Sequence, residues 1–309
     1  MHDAFGWVRA AALMLLLAVG GQAGAAAKIK AAASFSILGD MLREVGGDRV
    51  EIVTLVGANG DVHAYEPSPR DAKALSEAKL LVVNGLGFEG WLPRLVDAAH
   101  FKGTLVVASN GIKTRQMPEA GGNSTRIITD PHAWQSLVNG RTYVENIRDG
   151  LAAADPEGKP IYDANASRYV AAIDRLNAEI NATLGKLPPE RRRIITSHNA
   201  FGYFGAEYGL EFMAPEGVST ESQASAKDVA KIIRQIKADK TPAVFIENIT
   251  DHRLLDQIAR ETGAKIGGEL YSDALSGPSR PAATYLDMVR HNVVTLTAAL
   301  ATADASTKP

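Results

Sequence analysis

"KPIYDANASRYVAAIDRLNAEINATLGKLPPE", residues 159–190, decides the architecture of this chain. Its apolar residues Tyr162, Tyr169, Ile173, Leu176 and Ile180 recur mostly at steps of three and four, the spacing of one helical face. Pro160 suits a helix start. Pro188 and Pro189 suit a stop, because proline lacks an amide donor and fixes φ. The run approaches ~30 residues, well beyond an ordinary helix, and lacks the Gly/Ser content of a flexible tether. One stiff helix over 159–189 is therefore expected to join two halves.

Both halves alternate strand and helix patterns. Upstream, "KIKAAAS", "VEIVTLVG", "KLLVVNGL" and "TLVVAS" read as strands, with helices at "SILGDMLREVGG", "PRDAKALSEA" and "WLPRLVDAA"; the stretch 110–128 reads as irregular. Downstream, "RRIITS", "EFMAPEG", "PAVFIEN" and "AKIGGEL" read as strands. Helices are expected at "SAKDVAKIIRQIKAD", "DHRLLDQIARETG" and "PAATYLDMVRHNVVTLTAAL". Short apolar runs separated by amphipathic stretches indicate parallel sheets covered by helices. The expected fold class is α/β, with two doubly wound-like lobes, 28–158 and 190–309, and any ligand site in the cleft between them. The halves share an architecture without an evident sequence repeat.

The first 27 residues read differently. "MHDAFGWVRAAALMLLLAVGGQAGAAA" carries Arg9, an apolar run from Ala10 to Val19, and small residues of the A-x-A kind, the pattern of a secretory signal cleaved after Ala25 or Ala27. No other segment reaches the ~18 apolar residues of a membrane span. With no cysteine, disulfides, thiolate metal sites and a lipid-bearing N-terminal Cys are excluded together. The expected location is therefore the periplasm, in soluble form. The 33 basic residues balance 35 acidic ones, so no bulk field draws nucleic acid or an acidic membrane.

In such sheets ligands bind beyond the carboxyl ends of the strands. Four side chains fall there: His63 in "DVHAYEPSP", His132 in "ITDPHAWQS", His198 in "HNAFGYFG" and Asp273 in "YSDALSG". Each alone has an ordinary reading as a turn, capping or surface residue. Neighbours along the chain are roughly 70 residues apart, too far for a zinc finger or an HExxH helix, so only the fold can unite them.

The motifs "DVHAYEPSPRDAKAL", "DPHAWQSLVNGRTYVENI", "TSHNAFGYFGAEYGLE", "STESQASAKDVAKIIRQIK" and "FIENITDHRLLDQIARETGAKIGGELYSDALS" span nearly the whole chain after residue 27. In them the sequence resembles the periplasmic zinc and manganese receptors of ABC transporters, of the ZnuA/AztC-like zinc receptor type. The resemblance implies two lobes on a rigid helix and a metal held in the cleft by His63, His132, His198 and Asp273; the length of the joining helix predicts small lobe tilts without a wide hinge swing. It also implies delivery to an inner-membrane permease; a monomer is expected, with a periplasmic zinc metallochaperone as a further candidate partner.

Three imidazoles and one carboxylate suit tetrahedral Zn(II), whereas Mn(II) gathers more oxygen. Among the receptors it resembles, those for manganese generally present Glu where this chain has His198, which favours zinc and leaves manganese, or both ions, as the alternative. The long His-rich loop of many zinc receptors has no counterpart in "KTRQMPEAGGNSTRIITD", although Gly121, Gly122 and Asn123 indicate a mobile segment near the mouth.

Glu66 and Glu247 are candidates to fix the imidazoles from behind. Trp134 and Phe201 follow proposed ligands and have core packing as their ordinary role. Glu221 reads as helix-start chemistry, and His2, His100, His252 and His291 fall outside the pattern. A competing class is a secreted zinc hydrolase with a three-His site and Asp273 as base. Neither HExxH nor G-x-S-x-G is present to support it.

Overall fold

A computed structural model describes residues 28–118, 126–221, 224–239, 241 and 243–301. The signal-type segment and Gly121–Asn123 lie outside the described residues.

The first lobe is built on β1 (Ile29–Phe35), α1 (Ser36–Gly46), β2 (Val50–Val56), α2 (Pro69–Glu77), β3 (Leu80–Val83), α3 (Leu92–Ala98) and β4 (Thr104–Val107). The strands form one parallel sheet in the order β2-β1-β3-β4. β1, "IKAAASF", is buried at all positions but Lys30, as an inner strand covered on both faces requires. Pro69 and a Ser68–Asp71 capping box start α2 by satisfying its free amides.

The stretch expected to be irregular holds a small antiparallel hairpin, β5 (Gln116–Pro118) and β6 (Ile127–Thr129). Three-residue strands are too short to show a period of two, so the sequence pattern could not announce them. After β6 comes α4 (Leu137–Ala154), whose buried Tyr143, Ile147 and Leu151 follow the helical repeat. Ser136 caps it by accepting the amide of Asn139.

α5 (Lys159–Leu184) is a 26-residue helix that buries Tyr162, Ala166, Tyr169, Ile173, Leu176, Ile180 and Leu184. It leads into β7 (Arg193–Ile195), α6 (Gly202–Tyr208), β8 (Glu211–Met213), α7 (Ala226–Asp239), β9 (Ala243–Glu247), α8 (Arg253–Thr262), β10 (Lys265–Leu270) and α9 (Tyr285–Ala301). The second parallel sheet runs β8-β7-β9-β10, the same order as the first when each sheet's strands are counted from its own start. The architecture repeats while the sequence does not.

Two apolar cores result. The larger runs from the first lobe through α5 into α6 and α9, and the smaller joins Ile195, Val244, Ile232, Ile236, Leu255 and Ile258 of the second lobe. α9, counted in the second lobe from sequence, packs on both α5 and β10. Its first residue donates an amide to Asp40 of α1 at 2.8 Å, and Tyr285 lies so close to Gly140 of α4 that a Cβ there would meet its hydroxyl at 2.8 Å. The lobes therefore share a two-helix spine. α7 is capped by the preceding Ser225, whose hydroxyl accepts the amide of Asp228. Glu221 lies outside that cap, exposed, because the helix starts at Ala226, five residues beyond it. Among the described residues no helix is long and apolar enough to cross a membrane.

Candidate metal centre

Each of the four proposed ligands stands in a loop that faces the cleft, and each loop is held by polar bonds of its own. Beyond β2, Asp61 accepts the amide of His63 at 2.9 Å, an Asx turn, and Trp91 Nε1 donates to the Val62 carbonyl at 2.9 Å. Beyond β6, Asp130 accepts the amide of His132 at 3.0 Å, and Asn84 Nδ2 donates to the Pro131 carbonyl at 2.9 Å. Beyond β7, the amides of Ser197 and His198 donate to Glu247 Oε1 at 2.8 and 2.9 Å. Beyond β10, the Ser272 carbonyl accepts from Trp134 Nε1 at 2.9 Å and Gln135 Nε2 at 2.7 Å, which pins the loop of Asp273 to the opposite lobe.

These restraints bring the four side chains together. Nε2 of His63, His132 and His198 lies 3.3, 3.7 and 3.2 Å from the same oxygen, Oδ2 of Asp273. One donor atom from each residue lies within 4.8 Å of all the others. A tetrahedral ion with bonds of ~2.0–2.1 Å has donor–donor edges of about 3.3 Å. His132, His198 and Asp273 are fully buried and the His63 side chain is 6% exposed. His63 Nε2, His132 Nε2 and Asp273 Oδ1 are buried without a hydrogen-bond partner. Buried polar atoms are costly when unpaired, and three converging on one point are the arrangement a cation would satisfy.

Carboxylates stand behind two of the rings. Asp130 Oδ1 is 3.0 Å from His132 Nδ1, and Glu247 Oε2 is 2.8 Å from His198 Nδ1. A proton held on Nδ1 leaves the Nε2 lone pair facing the centre. Glu66 does not take this position at His63: it is exposed on the cavity wall, with no hydrogen bond or ion pair to that ring. Asp130 was not singled out from sequence, although the local signal existed, an Asp followed by Pro two residues before a proposed ligand. Phe88, edge-on to His63 at 4.8 Å, was likewise missed as an apolar wall. Trp134 is fully buried against His132 at 5.3 Å, whereas Phe201 stacks on Phe212 in the core. His252 and His291 bond to backbone carbonyls away from the centre.

Burial alone would lower the pKa of His132 and His198. The Asp273 and Asp130 carboxylates overcome it at His132, and Glu247 and Asp273 overcome it at His198, so both imidazoles are raised, His198 strongly. At Asp273 burial would raise the carboxyl, but His132 and His198 hold it well below the usual range. The centre is thus primed as an anion among imidazoles that bind a proton when no other cation is present.

If Glu247→Gln keeps the backbone bonds but loses the charge behind His198, metal affinity should fall about 10–100-fold. Calorimetric titration of the variant checks this, and an unchanged constant would deny Glu247 a part in ligation.

Two α/β lobes on a shared helical spine, with donors from both facing one buried point, define a substrate-binding receptor for a metal cation. Residues 32–299 match the ZnuA family, described as zinc-uptake complex component A, periplasmic. The chain belongs to this family of periplasmic metal-binding receptors, which are not enzymes. It is 35% identical over 272 residues to the manganese-binding lipoprotein MntA of Halalkalibacterium halodurans, covering 88% of each chain. It is 32% identical to the iron-binding protein YfeA of Yersinia pestis, over 88% of this chain and 86% of that one. Its fold superposes on the periplasmic zinc-binding protein TroA of Treponema pallidum with a TM-score of 0.82 at 29% identity, covering 88% of this chain and 99% of the other. These relatives carry three different metals in their names, so the family assignment sets the class of cargo and leaves the ion open.

Proposed function

We propose that this receptor captures Zn(II) through His63, His132, His198 and Asp273 and hands it to an inner-membrane ABC permease for import. The observation that carries the reading is the donor set: three imidazole nitrogens within 3.2–3.7 Å of one carboxylate oxygen, close to the edges of a tetrahedral zinc sphere. Zinc also exceeds manganese in intrinsic affinity for nitrogen and oxygen sites. The absence of cysteine from the sequence supports a soluble form without a thioether-linked lipid, unlike the relative named a lipoprotein.

A manganese receptor is the second reading, supported by the 35% identical relative named for manganese and by one feature of the site. Asp273 Oδ1 has no partner, so the carboxylate is free to turn bidentate and add the oxygen that manganese prefers. Competition decides between them. Protein equilibrated with equal zinc and manganese should retain about one zinc and less than a tenth as much manganese by elemental analysis. Retention of manganese in preference to zinc would overturn the zinc assignment.

A further inference from the structure

A cavity of about 770 Å³ opens beside the centre, and of the four proposed ligands only His63 lines it. The other three are fully buried. An ion leaving the cluster into this space therefore passes His63. The far wall of the cavity comes from the second lobe, in Val218, Ser219 and Glu221.

One side chain joins that wall to the loop of His63. Asp61 Oδ1 accepts the amides of His63 at 2.9 Å and Ala64 at 3.4 Å, setting the backbone from which the imidazole projects. Its other oxygen, Oδ2, accepts the hydroxyl of Thr220, which lies behind the wall between the lining residues Ser219 and Glu221. The turn that carries Asp61 is anchored to the second lobe at a further place: the amide of Asn59 donates to the Leu275 carbonyl at 2.8 Å, two residues beyond Asp273. Asn59 Oδ1 also accepts from Asn248 Nδ2 at 3.2 Å. Asn59 has a positive φ of 55°, a conformation that Asn tolerates and that aims its amide across the cleft. With the Asn59 end held, separation of the lobes at the cavity has to break the Asp61–Thr220 bond.

We infer that Asp61 is a positioning residue that ties the 218–221 wall to His63, so that the Asp61–Thr220 bond limits how fast metal leaves through the cavity. This rests on the receptor reading above. The two oxygens of one carboxylate serve the two functions separately. Breaking the Thr220 bond should free the wall while His63 keeps its backbone support, so the equilibrium coordination survives and the release rate rises.

The test uses Thr220→Val, which removes the donor at nearly constant volume, and Thr220→Ser, which restores it. Zinc release into excess chelator, followed by stopped flow, should be about five- to tenfold faster in Thr220→Val, the scale of one hydrogen bond, and near wild type in Thr220→Ser. The visible spectrum of the Co(II)-loaded protein should be the same in all three. Equal release rates for Val and Ser variants, with one metal still bound, would overturn the positioning role and leave the receptor reading intact. A changed Co(II) spectrum in Thr220→Val would also overturn it, because Thr220 would then be shaping the ligand sphere itself. Failure of the unaltered protein to bind either ion would instead remove the receptor reading, and this inference with it.

Discussion

His198→Ala should abolish most of the thermal stabilisation that zinc confers. At free zinc about a thousandfold above the dissociation constant, binding to the folded state alone stabilises it by ~4 kcal/mol. For a chain of this size that is a rise in melting temperature of roughly 8–16 °C. His198 is fully buried, 3.2 Å from Asp273 and backed by Glu247. Its removal takes away a donor, and among the described residues no further histidine joins the cluster to replace it. Differential scanning calorimetry with and without zinc reads the effect. The melting temperature of the metal-free variant serves as a control, because truncation of a buried side chain lowers stability by itself. The decisive quantity is the shift on adding zinc. A shift as large as wild type would show that zinc binds somewhere else.

Zinc affinity should fall steeply between pH 7.5 and pH 5.5, by about 10² to 10⁴. The direction follows from the raised imidazoles. His132 and His198 titrate above their ordinary value in the metal-free protein, so below that raised value each carries a proton that an incoming ion must displace. Each displaced proton weakens apparent binding about tenfold per pH unit. Because both are raised, the loss should begin above the unperturbed histidine value of ~6.5. Asp273 is held low and stays ionised throughout this window.

The same shifts act on the metal-free fold with the opposite sense. A raised imidazole contributes stability that is fully present below its unfolded pKa and lost as pH rises through the folded one. Acidification thus preserves this contribution to the empty receptor while it weakens zinc, and the difference in melting temperature between loaded and empty protein should narrow. Titration calorimetry in two buffers of different ionisation enthalpy measures both the affinity and the protons released. Equal affinities at the two pH values would rule out histidine ligation.

The legible and illegible parts of the site differ by how far their interactions reach along the chain. Ligand candidates could be found because the α/β pattern places binding residues at strand ends: His132, His198 and Asp273 each lie three residues past a strand, and His63 seven. Glu247 could be named as a support because it closes the strand "VFIEN". Glu66 was a reasonable choice from its nearness to His63 in sequence, yet the loop turns it outward. The hairpin of β5 and β6 is illegible because three residues cannot display a period, whereas α4 carries a readable repeat in Tyr143, Ile147 and Leu151.

Local features are legible in the residues themselves: the helical face of α5, the apolar strand runs that demand two covered sheets, and the residue types able to ligate a metal. Those follow from periodicity and from side-chain chemistry, which each segment carries without its neighbours. Long-range packing sets which donors meet, places Asp130 and not Glu66 behind an imidazole, and brings α9 beside α5 in a common spine. The reason is physical. Contacts between segments some seventy residues apart depend on how two sheets and their helices pack as whole bodies, and a displacement of one ångström or two there would separate ligands that no local pattern holds together.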